Sequence, residues 1–305
     1  MGGTGRARAA RGAGAGTGGG AGTGGGAGTG GGAGTGGGAG TGGGAGAAVG
    51  VVTRGTTNPN RLRRMDRWIA AAHGPQLRRA ADPLAVDLGY GAAPWTAVEL
   101  LGRLRRVRPD AEVVGVEIDP ARVAAALPYA REGLGFVRGG FEVPLPDGRR
   151  PVLIRAANVL RQYGEDEVPA VWARLTRRLA PGGLLVEGTC DEIGRRHVWV
   201  ALGPEGPRTV TFATRLGSLE RPSDLAERLP KALIHRNVPG EGVHAFLTGF
   251  DRAWAAAAPL SALGARQRWI AAVRALRADG WPVTDGPARW RQGEVTVAWE
   301  ALAPR

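Results

Sequence analysis

The chain has 305 residues, a formal net charge of +13 and one cysteine, Cys190. One cysteine excludes an intramolecular disulfide and a cysteine-rich metal site, and His73, His197, His235 and His244 form no close zinc motif, so no metal is expected. No apolar stretch is long enough to span a bilayer, which makes the cytoplasm the expected location and a membrane partner unexpected.

The basic charge is almost all arginine, with Lys231 the only lysine. Such an excess favours nucleic acid or another anionic partner. A compositional bias toward arginine, alanine and glycine produces the same charge with no partner, so both readings stand.

Five copies of AGTGGG fill residues 15–44. Glycine loses more backbone freedom on ordering than any other residue and offers no side chain to bury. Residues 1–48 are therefore expected to be a disordered tail, and residues 49–305 one large domain.

Residues 48–55, AVGVVTRG, are short and β-prone. The turn-rich TTNPN at 56–60 offers helix caps. RLRRMDRWIAAAH follows as an amphipathic helix, with Leu62, Met65, Trp68, Ile69 and Ala72 at helical spacing. Strand 83–89 leads through GYGAAP into a helix carrying Ala97, Leu100, Leu101, Leu104 and Val107 on one side. Strand 112–119, a helix opened by Pro120, and strand 134–138 come next. Strand 152–156, a helix closed by Pro181 and the strand in LLVEGTCDE complete the alternation. Strand and helix in turn at this spacing point to a parallel sheet covered on both faces.

Beyond Gly194 the pattern changes. HVWVAL and RTVTFATRL suit two antiparallel strands, SDLAERLPKAL a short helix, and residues 246–278 a helical region with breaks near Pro259 and Gly264. EVTVAWEAL, 294–302, suits a terminal strand.

In VDLGYGAAPWT, Asp87 ends a strand, and Gly89 and Gly91 permit a tight turn around Tyr90. Ligands of open α/β sheets sit beyond the carboxyl ends of strands, where this loop falls. It is no GxxxxGK[ST] phosphate loop, and Pro94 stands at the third glycine of GxGxxG. Glu117, at the end of the second strand, can accept two hydrogen bonds from a ribose diol.

VDLGYGAAP resembles the first motif of the class I S-adenosylmethionine-dependent methyltransferases, and VVGVEIDP their second. LIRAANVLRQYGEDEVPAVWARLTRRLAPGGLLVEGT resembles their fourth strand, following helix and fifth strand, so the likeness covers residues 84–189. It implies a Rossmann-like α/β fold: a mostly parallel seven-stranded sheet, helices on both faces and an antiparallel edge strand. It also implies S-adenosylmethionine as cofactor. Asp87, Gly89 and Gly91, with Tyr90 between the glycines, would line its methionine part. Glu117 would bind the ribose, Ile118 would pack on adenine, and Asn158 would face cofactor or substrate. Departures are Ala93 at a frequent third glycine, and Gly140 where an acidic residue often meets the adenine amine, with Glu142 nearby. Arg161 and Gln162 replace a histidine-rich ending seen in many small-molecule enzymes.

In-line methyl transfer needs positioning first, and a base only when the acceptor must lose a proton. Cys190 reads better as a buried small residue than as a nucleophile. RGTTNPNRLRRMDRW clusters arginines that suit anions. Arg54 is a candidate for the cofactor carboxylate, and Arg61 and Arg64 for an anionic substrate; a solvent-facing helix explains the same run. Trp95, directly after the glycine loop, is the aromatic candidate for a substrate pocket. Two other functions remain beside the transferase: a non-catalytic cofactor- or RNA-binding protein on the same fold, and a nicotinamide-dependent oxidoreductase.

Overall fold

Five short apolar runs separated by helices build the parallel half of a single sheet. The computed structural model describes residues 48–52 and 57–305. The expected tail, apart from Ala48, and the candidate Arg54 lie outside the described residues.

The strands are β1 Leu84–Leu88, β2 Glu112–Glu117, β3 Leu134–Arg138, β4 Leu153–Ala157, β5 Leu184–Cys190, β6 Arg196–Gly203, β7 Gly206–Thr214 and β8 Glu294–Ala298. The helices are α1 Arg63–Ala72, α2 Gly74–Arg79, α3 Trp95–Leu104, α4 Pro120–Ala126, α5 Val168–Arg177, α6 Lys231–Ile234, α7 Gly242–Ala256, α8 Ala265–Ala278 and α9 Pro287–Trp290. The sheet order is β3-β2-β1-β4-β5-β6-β7-β8. From β3 to β5 every pairing is parallel; β5–β6, β6–β7 and β7–β8 are antiparallel.

β1 and β5 are buried along their whole length, as strands covered on both faces should be. One face carries Met65, Trp68 and Ile69 of α1, Leu77 of α2 and Leu100, Leu101 and Leu104 of α3. The other carries Val168, Trp172 and Leu175 of α5 with Phe246 and Phe250 of α7 and Trp269 of α8. Helix entry follows local chemistry at α4, where the Asp119 carboxylate accepts from the Ala121 N–H at 2.8 Å and Pro120 stands at the first position.

The mixed α/β class expected from the alternation is what forms, with differences of detail. The sheet has eight strands rather than seven, because β6 and β7 both join it before β8 closes the edge. The helix expected in SDLAERLPKAL is split into a 3-10 turn, Pro222–Arg228, and α6, because Pro230 lacks the N–H that would continue it. The terminal strand stops at Ala298, and the turn Trp299–Ala301 then delivers Leu302 to the core. Residues 48–52 form no strand; their peptide groups bond to loop residues instead of a strand edge.

Candidate functional site

β1 pairs with β2 on one side and β4 on the other, so the crossovers diverge at β1 and open a crevice beyond its carboxyl end. The loop after β1 fills that place. Gly89 and Gly91 have φ of 66° and 84°, a region costly for residues with a side chain. The Gly89 N–H donates to the Val116 carbonyl at 2.7 Å. The Gly91 N–H donates to Glu117 Oε2 at 2.9 Å, while Glu117 Oε1 accepts from the Ile118 N–H at 3.0 Å. Gly89, Gly91, Glu117 and Ile118 are thus brought together as the motif spacing implies. Tyr90 contributes only backbone: its ring packs edge-on against Phe136 at 5.4 Å, and its hydroxyl donates to the Arg122 carbonyl. Burial, then the Glu117 charge, raises its phenol far above the ordinary value.

Asp87 does not open toward the crevice. Its Oδ1 accepts from Arg155 Nε at 3.0 Å and its Oδ2 from the Thr96 hydroxyl at 2.6 Å. Arg155 also pairs with Asp66 of α1 and donates to the Thr96 carbonyl at 2.9 Å. Arg155 is fully buried, which opposes its charge, but Asp87 and then Asp66 hold its guanidinium above the ordinary value. One side chain therefore locks α1, β1 and the start of α3 behind the glycine loop. Trp95 points elsewhere, meeting Tyr129 edge-on at 5.2 Å.

The carboxyl end of β4 carries a second cluster. Asn158 has φ of 62°, unusual for a residue with a side chain. Its Oδ1 accepts from the Cys190 N–H at 2.9 Å, and its Nδ2 donates to Cys190 Sγ at 3.2 Å. Arg61 Nε donates to the same sulfur at 3.3 Å. Burial raises the Cys190 thiol pKa despite Arg61, which keeps the sulfur protonated. His197 stands opposite Cys190 in the ladder and is fully buried; burial, reinforced by Arg64, lowers its imidazole to about 3. Arg64 donates to the carbonyls of Gly194 and Gln292 at 3.3 and 3.2 Å. Asn158 and Arg61 therefore share one sulfur, while Arg64 is committed to backbone.

Sequence reasoning passed over Arg155, Asp66 and Tyr163. The signal for Arg155 was present: one arginine inside the apolar run VLIRAA must be paired when that run is buried.

Residues 48–51 cross the crevice. The Val49 carbonyl accepts from the Phe141 N–H at 2.8 Å, and the Val49 N–H donates to Glu142 Oε2 at 2.9 Å. The Val51 N–H donates to the Tyr163 hydroxyl at 2.6 Å, and the Val51 carbonyl accepts from Gln162 Nε2 at 2.9 Å. Beneath this segment a cavity of about 20 Å³ remains, lined by Gly89, Glu117, Ile118, Phe141 and Tyr163. A roomier cleft of about 550 Å³ lies at the start of α5, between Trp172, Trp299 and Arg236, and holds no residue of the glycine loop. Among the described residues no group of three or more His, Cys, Asp or Glu is placed to hold a metal, and no helix is long and apolar enough to cross a membrane.

No protein-family model matches the chain, and no curated protein matches it. Solved structures do. A putative sarcosine dimethylglycine methyltransferase from Galdieria sulphuraria is 21% identical over 42% of this chain and 47% of that one, with a TM-score of 0.33. Human N-acetylserotonin methyltransferase, solved with S-adenosylmethionine, is 23% identical over 42% and 36%, with a TM-score of 0.28. Magnesium protoporphyrin IX methyltransferase from Synechocystis, solved with S-adenosylhomocysteine, is 18% identical over 42% and 53%, with a TM-score of 0.30. The chain thus spans about half or less of each of these three structures. At such scores the fold assignment rests on strand order and loop geometry, and both are those of an open α/β sheet with a glycine turn at its switch point.

Proposed function

We propose that the chain is an S-adenosylmethionine-dependent methyltransferase. The observation that carries this reading is the pairing of Glu117 with the glycine loop. A buried carboxylate at the end of β2 braces the Gly91 amide, beside Ile118 and at the sheet's switch point. A carboxylate there suits the two hydroxyls of a ribose. The donor set around it also suits an adenosyl group: the Phe141 N–H and the Glu142 carboxylate present one donor and one acceptor side by side. The solved structures with the sulfur cofactor or its product bound agree in kind with this choice.

When bound, the cofactor supplies a sulfonium methyl group to a nucleophile held in line with the carbon–sulfur bond. The chain's own part is orientation. Glu117 and the Phe141 amide hold the nucleoside end. Arg155 fixes the loop from behind through Asp87 and Thr96. Asn158, held by Cys190 and by its own N–H on the Gly188 carbonyl at 2.7 Å, presents a rigid polar corner at the end of β4. Cys190 stays a neutral thiol and takes no part as nucleophile. An oxidoreductase reading is weaker. The dinucleotide fingerprint asks for a glycine at the third position of GxGxxG, for close packing of helix on strand, and Pro94 stands there.

Ultraviolet crosslinking with radiolabelled S-adenosylmethionine tests this. Labelling that S-adenosylhomocysteine suppresses and NADH does not is the expected result. Labelling indifferent to S-adenosylhomocysteine would remove the assignment.

A further inference from the structure

We infer that residues 48–52 act as an intramolecular competitor for the adenosyl ligand, docked in its site and displaced when it binds. The inference rests on the cofactor reading above and adds a control to the same site.

Space carries the first half of the case. A pocket for a ligand of this size encloses about 300 Å³ or more, whereas the space left here is about 20 Å³, enough for one water molecule. Segment and ligand cannot occupy the site together, so the segment is no lid over a bound cofactor.

Hydrogen-bond chemistry carries the second half. The Val49 peptide offers a donor to Glu142 and an acceptor to the Phe141 N–H. The amino group and N1 of a 6-aminopurine offer the same pair along one edge. Val49 therefore satisfies the groups that the base would otherwise satisfy, and leaves no orphaned donor or acceptor in the closed form. Gly140 makes the approach possible: a Cβ at that position would lie 2.0 Å from the Val49 carbonyl oxygen.

The segment is also built to leave. Val49, Val51 and Val52 are 38%, 61% and 41% exposed, so little apolar surface is lost when it lifts off. Its hold is four hydrogen bonds, from Val49 and Val51 to Phe141, Glu142, Tyr163 and Gln162. Each is exchanged for water on release, so the segment is a reversible occupant.

The test uses the full chain and the variant Val49→Pro, which removes the N–H that meets Glu142. The variant Val51→Pro, which removes the N–H that meets Tyr163, serves as an independent second. Affinity for S-adenosylhomocysteine is measured by calorimetry, and segment docking by amide hydrogen exchange. A segment docked nine-tenths of the time weakens apparent affinity about tenfold. Both variants should therefore bind about tenfold tighter than the parent, and their Phe141 amide should exchange faster without ligand. In the parent, added ligand should speed exchange at Val51 while Phe141 stays protected. Equal affinity in parent and variants, with Val51 exchange unmoved by ligand, overturns the competition and leaves the cofactor reading intact. Weaker binding by the variants also overturns it, because the segment would then be part of the ligand site. Absence of binding in all three proteins overturns the cofactor reading and the competition with it.

Discussion

The two ends of the crevice are made of different material. At the β1–β2 end, backbone amides of a glycine turn and one acidic side chain come from neighbouring strands, and their spacing is written in two short motifs. At the β4–β5 end, Arg61, Asn158, Cys190 and His197 come from distant parts of the chain: the half-buried Arg61 and Asn158 turn their polar atoms on the buried Cys190 sulfur, and the buried His197 stands opposite it in the ladder. The first end is an arrangement of amides that many ligands of one class can use. The second is held by contacts between side chains rather than by the backbone of a turn. Behind both, Arg155 ties α1 to β1, so the end that is motif-built is supported by a residue outside its motif.

That support is the easiest part to break. Arg155→Met leaves Asp66 and Asp87 buried without their shared cation. Removing one partner of a buried pair costs about 3–5 kcal/mol, so urea unfolding should show a loss of that size. A loss below about 1 kcal/mol would mean that the cluster does not brace the loop.

Glu187 sharpens the comparison, because it is a buried acid on β5 with no ion-pair partner among the described residues. Burial raises its pKa from the ordinary 4.5 to about 8. The folded state then holds a proton that the unfolded state has released. Its contribution is full below the unfolded pKa and declines as pH rises through the folded one, at up to about 1.4 kcal/mol per pH unit between them. Replacement by glutamine should flatten the fall in stability from pH 5 to pH 8, read from denaturant midpoints. A wild-type decline that survives Glu187→Gln unchanged would place its origin elsewhere.

At the motif-built end, Glu117→Gln should leave the fold standing and weaken S-adenosylhomocysteine binding by about tenfold or more. A hydrogen bond to a charged group is worth about 1.5–3 kcal/mol. Unchanged affinity would strip Glu117 of its ribose role. At the other end, Cys190→Ser should be the mildest change, at about 1 kcal/mol or less, because Arg61 and Asn158 can donate to a hydroxyl as they do to sulfur. The native thiol should react slowly with alkylating reagents at neutral pH. Fast labelling would contradict the raised pKa.

The legibility of each part follows from its physics. Strands β1 to β5 and their helices were readable because each buries a short, continuous apolar run or an amphipathic stripe. The glycine turn and Glu117 were readable because backbone geometry demands particular residues at fixed spacing. Tyr90 and Asp87 stand in the motif, yet the ring of one fills the core and the carboxylate of the other serves Arg155; position within a motif does not give a side chain's direction. Arg64 is a candidate by residue type and Trp95 by its place directly after the glycine loop, and neither specifies a partner: one bonds backbone carbonyls and the other packs on Tyr129. Residues 48–52 look like a strand by composition, but strand formation needs a neighbouring edge, and the partners here are Phe141, Glu142, Gln162 and Tyr163. α2 follows α1 after a single residue, His73, with Pro75 in its first turn, and the apolar periodicity over six residues is too short to announce a separate helix.

The proposed function puts an adenosyl sulfur cofactor in the crevice beyond the carboxyl ends of β1 and β2, beside Gly91 and Glu117. Calorimetric titration of the full chain with S-adenosylmethionine, S-adenosylhomocysteine and NADH tests it most directly. Saturable one-site binding of both sulfur compounds, with no heat from NADH, is the predicted result. Binding of NADH alone, or of none of the three to the parent chain or to its Val49→Pro variant, would contradict it.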